Sequence, residues 1–370
     1  MEELHPYDRM VVYCQQAPDL FIRNASSLLS SPESPTALTG LSKDIYDTAN
    51  GHKQNAADLF TKLNFWKSFS NYCGAKMKAY GFFMAGSTLN GFALKTSDVD
   101  LVILTRSKVK HKHNKRKMGV ELSWIINIFK SNPSVSQAQM RKMGDKPYIY
   151  FKELINGYDV DVTMNLMDSI LNSHLLFRYT QVDWRVKPLG IIIKLFAKNQ
   201  NLFGTFEHSF NSYHMMLMLI HYLQYGAKPA VVPCLHKSAQ KMFSRSEKVF
   251  DIDFFKPMNI QFTSNNRQTL EELLLGFFDY YNKFNFDMTV MSIRLGAAYP
   301  KNQWMTMVDK KIFHSYRSPI LKLEEPFEQK NAARKVSDEK SFNKTRAAFK
   351  KAHQKLIERR DIKCIFSKFI

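Results

Sequence analysis

The residues Gly86-Ser87-Thr88-Leu89-Asn90-Gly91-Phe92, followed by Ser97-Asp98-Val99-Asp100, constrain the fold more than any other part of this chain. A Gly-Ser corner runs into a short helix. Two aspartates then alternate inside a run of β-formers, Asp98-Val-Asp-Leu-Val-Ile-Leu104. Side chains alternate across a strand, so Asp98 and Asp100 face the same way. Adjacent carboxylates repel unless a cation lies between them. Oxygen donors with no Cys or His nearby favour a hard divalent ion, Mg²⁺ or Mn²⁺. Gly86 and Ser87 offer backbone N–H groups at a helix N-terminus, which is a cradle for nucleotide phosphate. A metal beside a phosphate cradle is equipment for nucleotidyl transfer.

The 370 residues suffice for two domains, and 45% hydrophobic content means that most of the chain folds. No apolar run reaches the length of a membrane span, and the start, Met-Glu-Glu-Leu-His-Pro, lacks a signal-peptide pattern. No membrane association is therefore expected. Cys14, Cys73, Cys234 and Cys364 are scattered without C-x-x-C spacing, so neither a disulfide frame nor a zinc knuckle is expected. A reducing, cytoplasmic setting fits. The net charge of +20 is clustered, which favours a nucleic-acid partner over generic solubility.

Along the chain, residues 1–37 read as a flexible tail ending in a Ser/Pro stretch. Residues 38–75 carry helical periodicity, with Ile45, Ala49, Leu59, Leu63, Trp66 and Phe69 among the recurring apolar positions. Residues 76–168 hold the Gly-Ser corner and the aspartate strand. They also hold a helix at Met118–Phe129 and two strands, Pro147–Leu154 and Tyr158–Thr163, joined at Asn156-Gly157. Asn-Gly between β-runs is a hairpin signal. From residue 169 to 340 the pattern is mainly helical, at Met167–Gln181, Trp184–Asn199, Ser212–Tyr225 and Thr269–Asn285, with a β-like stretch at Ile320–Leu323. Residues 341–370 form a basic helix. The class is α+β: a mixed-sheet lobe beside a larger helical lobe, with the active site expected in the cleft.

Two-metal phosphoryl transfer needs a third carboxylate. Asp159 and Asp161 both lie on the hairpin strand and share a face, so spacing alone does not choose between them. A D-x-D pair on a strand is by itself more often a solvated edge. The corner, the hairpin acids and the basic charge together outweigh that reading. His214 and His221 are seven apart on one helix, which is not a zinc spacing, and read as core or surface residues.

These motifs resemble the non-canonical poly(A)/poly(U) RNA polymerases of the DNA polymerase β-like nucleotidyltransferase superfamily, most nearly the cytoplasmic germline type. The family pattern G-S-x-x-N-G-F…S-D-x-D-L is met by Gly86–Phe92 and Ser97–Leu101. The likeness continues through Asp161-Val-Thr-Met-Asn165, Leu171–Leu176, Arg185–Pro188, Ser212-Tyr213, Leu273–Phe277 and Glu324-Glu-Pro-Phe-Glu328, about residues 40–345 in all. It implies a polymerase β-like catalytic lobe at 76–168. It also implies a PAP-associated lobe at 169–340, with a nucleotide-recognition loop near 324–334 and the helices of 38–75 packed on it. The family's register selects Asp161 as third metal ligand and leaves Asp159 outside. By the same resemblance Asn172 hydrogen-bonds the ribose, and Ser173, which stands where Thr is usual, belongs to the nucleotide site. Lys194 and Lys198 hold the triphosphate, against the alternative of two snorkelling surface lysines. Ser212 contacts phosphate, Tyr213 stacks on the base, and Glu325 and Glu328 flank the nucleotide. Ser169 and Leu171 depart from the family's G-I-R-N-T, and Ala93 replaces a frequent Gly.

The resemblance implies ATP as substrate, because uridine-adding members often carry a His shortly after Pro-Phe and Phe327–Arg334 has none. The expected activity is template-independent addition of AMP to an RNA 3′ end. The alternatives are a uridylyl or mixed-nucleotide tailer and an inactive RNA-binding scaffold of the same fold. Two basic stretches could hold RNA phosphates: Arg106–Lys117, and Lys340–Ile370 with ten Lys/Arg against two acids. The first also reads as a nuclear-import signal. No RRM, KH or zinc-knuckle signature is present. A partner protein is therefore expected to choose the RNA, and no DNA substrate is expected.

Overall fold

The computed structural model describes residues 5–34, 36–105, 115–143, 146–203, 210–246, 248–317, 320–334, 336 and 338–369. Most of the basic stretch 106–117 lies outside them. The chain divides into two compact units. The first contains Met1–Ser30, Gln54–Phe177 and Arg245–Pro257; the second contains Ser31–Lys53, Arg178–Ser244 and Met258–Ile370. Four helices come first in the chain: α1 (Pro6–Arg23), α2 (Ala25–Leu29), α3 (Gly40–His52) and α4 (Ala56–Lys76).

The first unit is built on β1 (Tyr80–Ala85), β2 (Val99–Thr105), β3 (Val135–Met143), β4 (Lys146–Glu153) and β5 (Asp159–Met164). Their order in the sheet is β1-β2-β5-β4-β3. Only β2 and β5 are parallel; the other neighbours are antiparallel. The sheet is mixed, as the sequence implies. Between β1 and β2 lies the short α5 (Ser87–Asn90), and between β2 and β3 lies α6 (Lys115–Lys130).

An Asn55–Asp58 capping box starts α4 by satisfying backbone donors at its first turn. Leu59, Leu63, Trp66, Phe69 and Cys73 then bury one face. The Trp66 indole donates to the Phe82 carbonyl at 3.1 Å. Phe69 packs on Phe82, Phe129 and Phe151 with ring centroids 5.0 to 5.8 Å apart. Burial of such large rings is the main stabilising term here.

Two expectations are corrected. The segment 1–37 is not a tail throughout. α1 buries Val11, Cys14, Ala17 and Phe21, and Phe21 meets Trp66, Phe83, Phe254 and Phe255 edge-on. Its apolar partners come from residues far along the chain, so local sequence does not reveal the packing. The helices of 38–75 also divide: α3 belongs to the second unit, whereas α4 packs on the sheet of the first.

The second unit takes over within α7 (Met167–Val182) and continues with α8 (Val186–Asn199), α9 (Ser212–His221), α10 (Leu235–Ser238), α11 (Leu270–Lys283) and α12 (Lys301–Met307). A small hairpin, β6 (Thr289–Ser292) and β7 (Ala297–Pro300), precedes α12, and the basic α13 (Glu339–Arg359) closes the unit. Phe349 of α13 packs on Phe277 and Phe278 of α11 and on Phe196 of α8. Arg185 is buried and anchors a loop: it chelates Asp183 and donates to the Asn266 side chain at 2.9 Å and the Gln268 carbonyl at 2.7 Å. No helix among the described residues is long and apolar enough to cross a membrane.

Candidate active site

β1 ends at Ala85, directly opposite Asp100 on β2. The chain turns at Gly86 with φ +70° and ψ −153°, a region open essentially to glycine alone. A Cβ built on Gly86 would lie 1.9 Å from Oδ2 of Asp100 and 2.6 Å from its Cγ. The residue is glycine on both counts: the corner needs its conformation, and the Asp100 carboxylate occupies the space a side chain would take. Gly91, also left-handed at φ +84°, ends the short helix.

The parallel pairing of β2 and β5 sets Asp100 and Asp161 as register partners. Partners across a ladder point to the same face, so these carboxylates are neighbours. Asp98 stands one residue before β2, exposed to solvent. Burial raises the Asp161 carboxyl to about 6, the Asp98 charge pushes it the same way, and Arg141 opposes both. Asp159 lies two residues earlier on β5, exposed, and accepts a hydrogen bond from the Tyr150 hydroxyl at 2.6 Å.

Among the described residues no three His, Cys, Asp or Glu side chains are gathered into a group that would hold a metal ion as they stand. The donor set nevertheless fits a hard divalent ion. Its donors are carboxylate oxygens, and their mutual repulsion is what a cation relieves. Asp98, Asp100 and Asp161 would hold it, with water and substrate phosphate completing the coordination.

One neighbour of the acids has no precedent in the motif reading. Lys62 of α4 is fully buried and donates to the Ser97 carbonyl at 2.8 Å. Position 62 lies on the apolar stripe of its helix beside Leu59, Leu63 and Trp66. A charge at a core position is the signal that could have exposed it.

Asn172 and Ser173 lie on α7 within the first unit, both buried. The Ser173 hydroxyl accepts from the Gly86 N–H at 2.7 Å and donates to the Ser169 carbonyl at 2.6 Å. Ser173 thus fastens the Gly-Ser corner to α7. Ser87 starts α5 at that corner.

The remaining residues singled out belong to the second unit. Lys194 is half-buried and Lys198 exposed, on an α8 whose other side chains are mostly buried. Ser212 and Tyr213 open α9, capped by an Asn211–His214 box. The Tyr213 hydroxyl meets Glu325 Oε1 at 3.3 Å. The other Glu325 oxygen accepts from the backbone N–H groups of Phe327, at 2.9 Å, and Glu328. Glu325 thus folds the 325–328 turn and ties it to Tyr213, whereas Glu328 pairs with Lys330 at 3.4 Å. Next to this turn, the buried Glu324 accepts from Arg294 at 2.6 and 2.8 Å. The ring of His236 lies 5.3 Å from that of Phe327, and burial lowers its pKa to about 4. No His follows Pro-Phe in the sequence, yet the fold brings a neutral one to the loop from α10. His214 and His221 are buried, with pKa values lowered to about 4 and about 3.

Residues 41–181 match the family model described as poly(A) RNA polymerase, mitochondrial-like, central palm domain. Residues 269–331 match that of the Cid1 family poly A polymerase. The poly(A) RNA polymerase gld-2 homolog B of Drosophila melanogaster is 31% identical over 340 residues, covering 88% of this chain. The match spans 24% of that relative's own length. The solved GLD-2/RNP-8 complex superposes with a TM-score of 0.73 at 28% identity, covering 88% of this chain and 97% of that one. A cytoplasmic RNA terminal U-transferase superposes at 0.72 with 22% identity, covering 89% and 99%, a likeness of fold.

Proposed function

The chain belongs to the non-canonical poly(A) RNA polymerase family, and from that premise we propose that it adds AMP from ATP to RNA 3′ ends without a template. One observation carries the reading: Asp100 and Asp161 are register partners, and the Asp100 carboxylate lies in the space where a Gly86 side chain would be. In the reaction the 3′-hydroxyl oxygen bonds to the α-phosphorus of ATP and gives up its proton to solvent, the bond from the α-phosphorus to the α–β bridging oxygen breaks, and pyrophosphate leaves. Divalent ions, when bound, lower the hydroxyl's pKa and offset the charge of the phosphates. Asp98, Asp100 and Asp161 would hold those ions. Ser87 presents its backbone N–H to phosphate, and Ser173, which takes the Gly86 N–H, keeps the corner in place.

In the second unit, Lys194, Lys198 and Ser212 at the start of α9 are suited to the triphosphate. Tyr213, steadied by Glu325, is suited to stack on adenine, and Asn172 of the first unit to bond the ribose. Exposed cations on α13 would take phosphates upstream in the RNA. The likeness to GLD-2 in its complex with RNP-8 supports delivery of this chain to its RNA by a partner protein. We place its action in the cytoplasm, with nuclear import through the 106–117 stretch as a secondary destination.

The test is primer extension: purified chain, labelled oligo(A), Mg²⁺ or Mn²⁺, and each ribonucleotide alone. Elongation with ATP in excess over UTP supports the proposal. A clear excess of UMP incorporation makes the chain a uridylyltransferase, and no incorporation makes it a scaffold.

A further inference from the structure

We propose that Lys62 is a resident counter-cation of the acidic cluster, fixed on the Ser97 carbonyl so that its charge offsets Asp98 and Asp100 and moderates their hold on a divalent ion. The inference rests on the reading that those aspartates bind the metal.

Lys62 has no exposed surface and sits on the packed face of α4. An ammonium there carries a large desolvation cost unless it is compensated. Leu or Met at this position would bury the same stripe without that cost, so packing does not account for a lysine. Three features compensate the charge. Its Nζ donates to the Ser97 carbonyl, one residue before Asp98, at 2.8 Å. It lies 5.5 Å from the centroid of the Tyr158 ring. The carboxylates of Asp58, Asp98 and Asp100 all favour its charged form. Burial therefore lowers its pKa only to about 8, and most of it is charged at neutral pH.

Asp58 belongs to the α4 capping box and is half-buried, whereas Asp98 and Asp100 belong to the candidate site. Lys62 thus joins the helix that supports the sheet to the strand that carries the acids. The hydrogen bond to the Ser97 carbonyl fixes this positive charge beside the strand that carries Asp98 and Asp100. The divalent ion is then held less tightly than the bare acids would hold it. A site that must release metal-bound pyrophosphate at every turnover gains from that moderation.

The experiment titrates Mn²⁺ into nucleotide-free protein and follows free Mn²⁺ by electron paramagnetic resonance. Wild type, Lys62→Met, Lys62→Arg and Asp100→Ala are compared, and melting temperatures are recorded with and without Mn²⁺. Removing one positive charge near a doubly charged ion should tighten binding roughly tenfold, so Lys62→Met binds Mn²⁺ more strongly and gains more in melting temperature from it. Lys62→Arg keeps the charge and stays within about twofold of wild type on the same electrostatic argument. A purely structural lysine predicts the reverse: equal or weaker binding in Lys62→Met, which overturns the proposal. Should Lys62→Met not fold, Lys62→Gln replaces it, with the same tightening expected and the same result overturning it. Wild-type binding that is lost in Asp100→Ala but unchanged in Lys62→Met refutes the role of Lys62 alone. Absence of Mn²⁺ binding in wild type refutes the metal reading on which it rests.

Discussion

Gly86→Ala probes the site with the smallest change in chemistry. Two penalties follow from the geometry. The backbone at φ +70° and ψ −153° is strained for any residue with a Cβ, which costs about 1–3 kcal/mol. The new methyl would also sit 1.9 Å from Oδ2 of Asp100. Ordinary van der Waals contact begins near 3.4 Å, so the carboxylate must retreat by about 1.5 Å. A misplacement of about 1 Å in a catalytic group costs on the order of 100-fold in rate. The variant should therefore remain folded, lose about 1–3 kcal/mol in urea unfolding, and extend a labelled RNA primer with ATP at least about 100-fold more slowly. Gly74→Ala is the control. It lies within α4, where an added Cβ would meet nothing within 4 Å, and should keep full activity while gaining about 0.5–1 kcal/mol from helix propensity. A folded Gly86→Ala enzyme retaining half of wild-type activity would refute the claim that the Asp100 position depends on this corner.

Other variants separate the parts of the site. Ser173→Ala deprives the Gly86 N–H of its acceptor and should cost about 1–3 kcal/mol together with tailing activity; Ser173→Thr, which restores a hydroxyl, should recover both. Tyr213→Ala should raise KM for ATP more than it lowers kcat, whereas Tyr213→Phe, which loses only the hydroxyl contact to Glu325, should stay close to wild type. Steady-state kinetics decide both. Arg294→Met leaves the buried Glu324 carboxylate with the Ser292 hydroxyl alone and should cost about 3 kcal/mol in chemical unfolding. The double change Lys344→Glu and Lys351→Glu on α13 should weaken RNA binding and lower its salt-dependence slope by about two or more, as read by fluorescence anisotropy at several ionic strengths.

The legible parts of this chain are those whose signal is local. Asn156-Gly157 marks the turn between β4 and β5, where Gly157 adopts φ +75°. The apolar periodicity of α8 and α11 survives in the structure within a residue or two of the boundaries read from sequence, whereas the stretch read as helical over 38–75 breaks into α3 and α4. The Gly-Ser corner and alternating aspartates announce their strand-turn-helix geometry because each needs particular residue types at short range. Less legible is whatever depends on distant partners. α1 has a weak pattern because its core neighbours include Phe254 and Phe255. β3 escapes notice because Ser136, Gln137, Gln139, Arg141 and Lys142 make it polar, and a register shift between Ser136 and Gln139 breaks its alternation. The helical reading to Tyr225 overruns α9, which passes into a π-turn at Tyr222–Gly226. Side-chain roles are hardest to read. Ser173 reaches a backbone N–H 87 positions away, and Glu325 orders its own loop. Lys62 is the exception, since a charged residue on an apolar stripe is visible in sequence to a reader who asks what compensates it.

The most direct test of the account pairs two proteins in one assay. Wild type and Asp100→Ala are incubated with labelled oligo(A), divalent metal and ATP, and their melting curves are recorded alongside. The account predicts a ladder of added adenylates for wild type and none for an Asp100→Ala protein that melts normally. Tailing that persists in the folded variant would place the chemistry elsewhere and contradict the central claim.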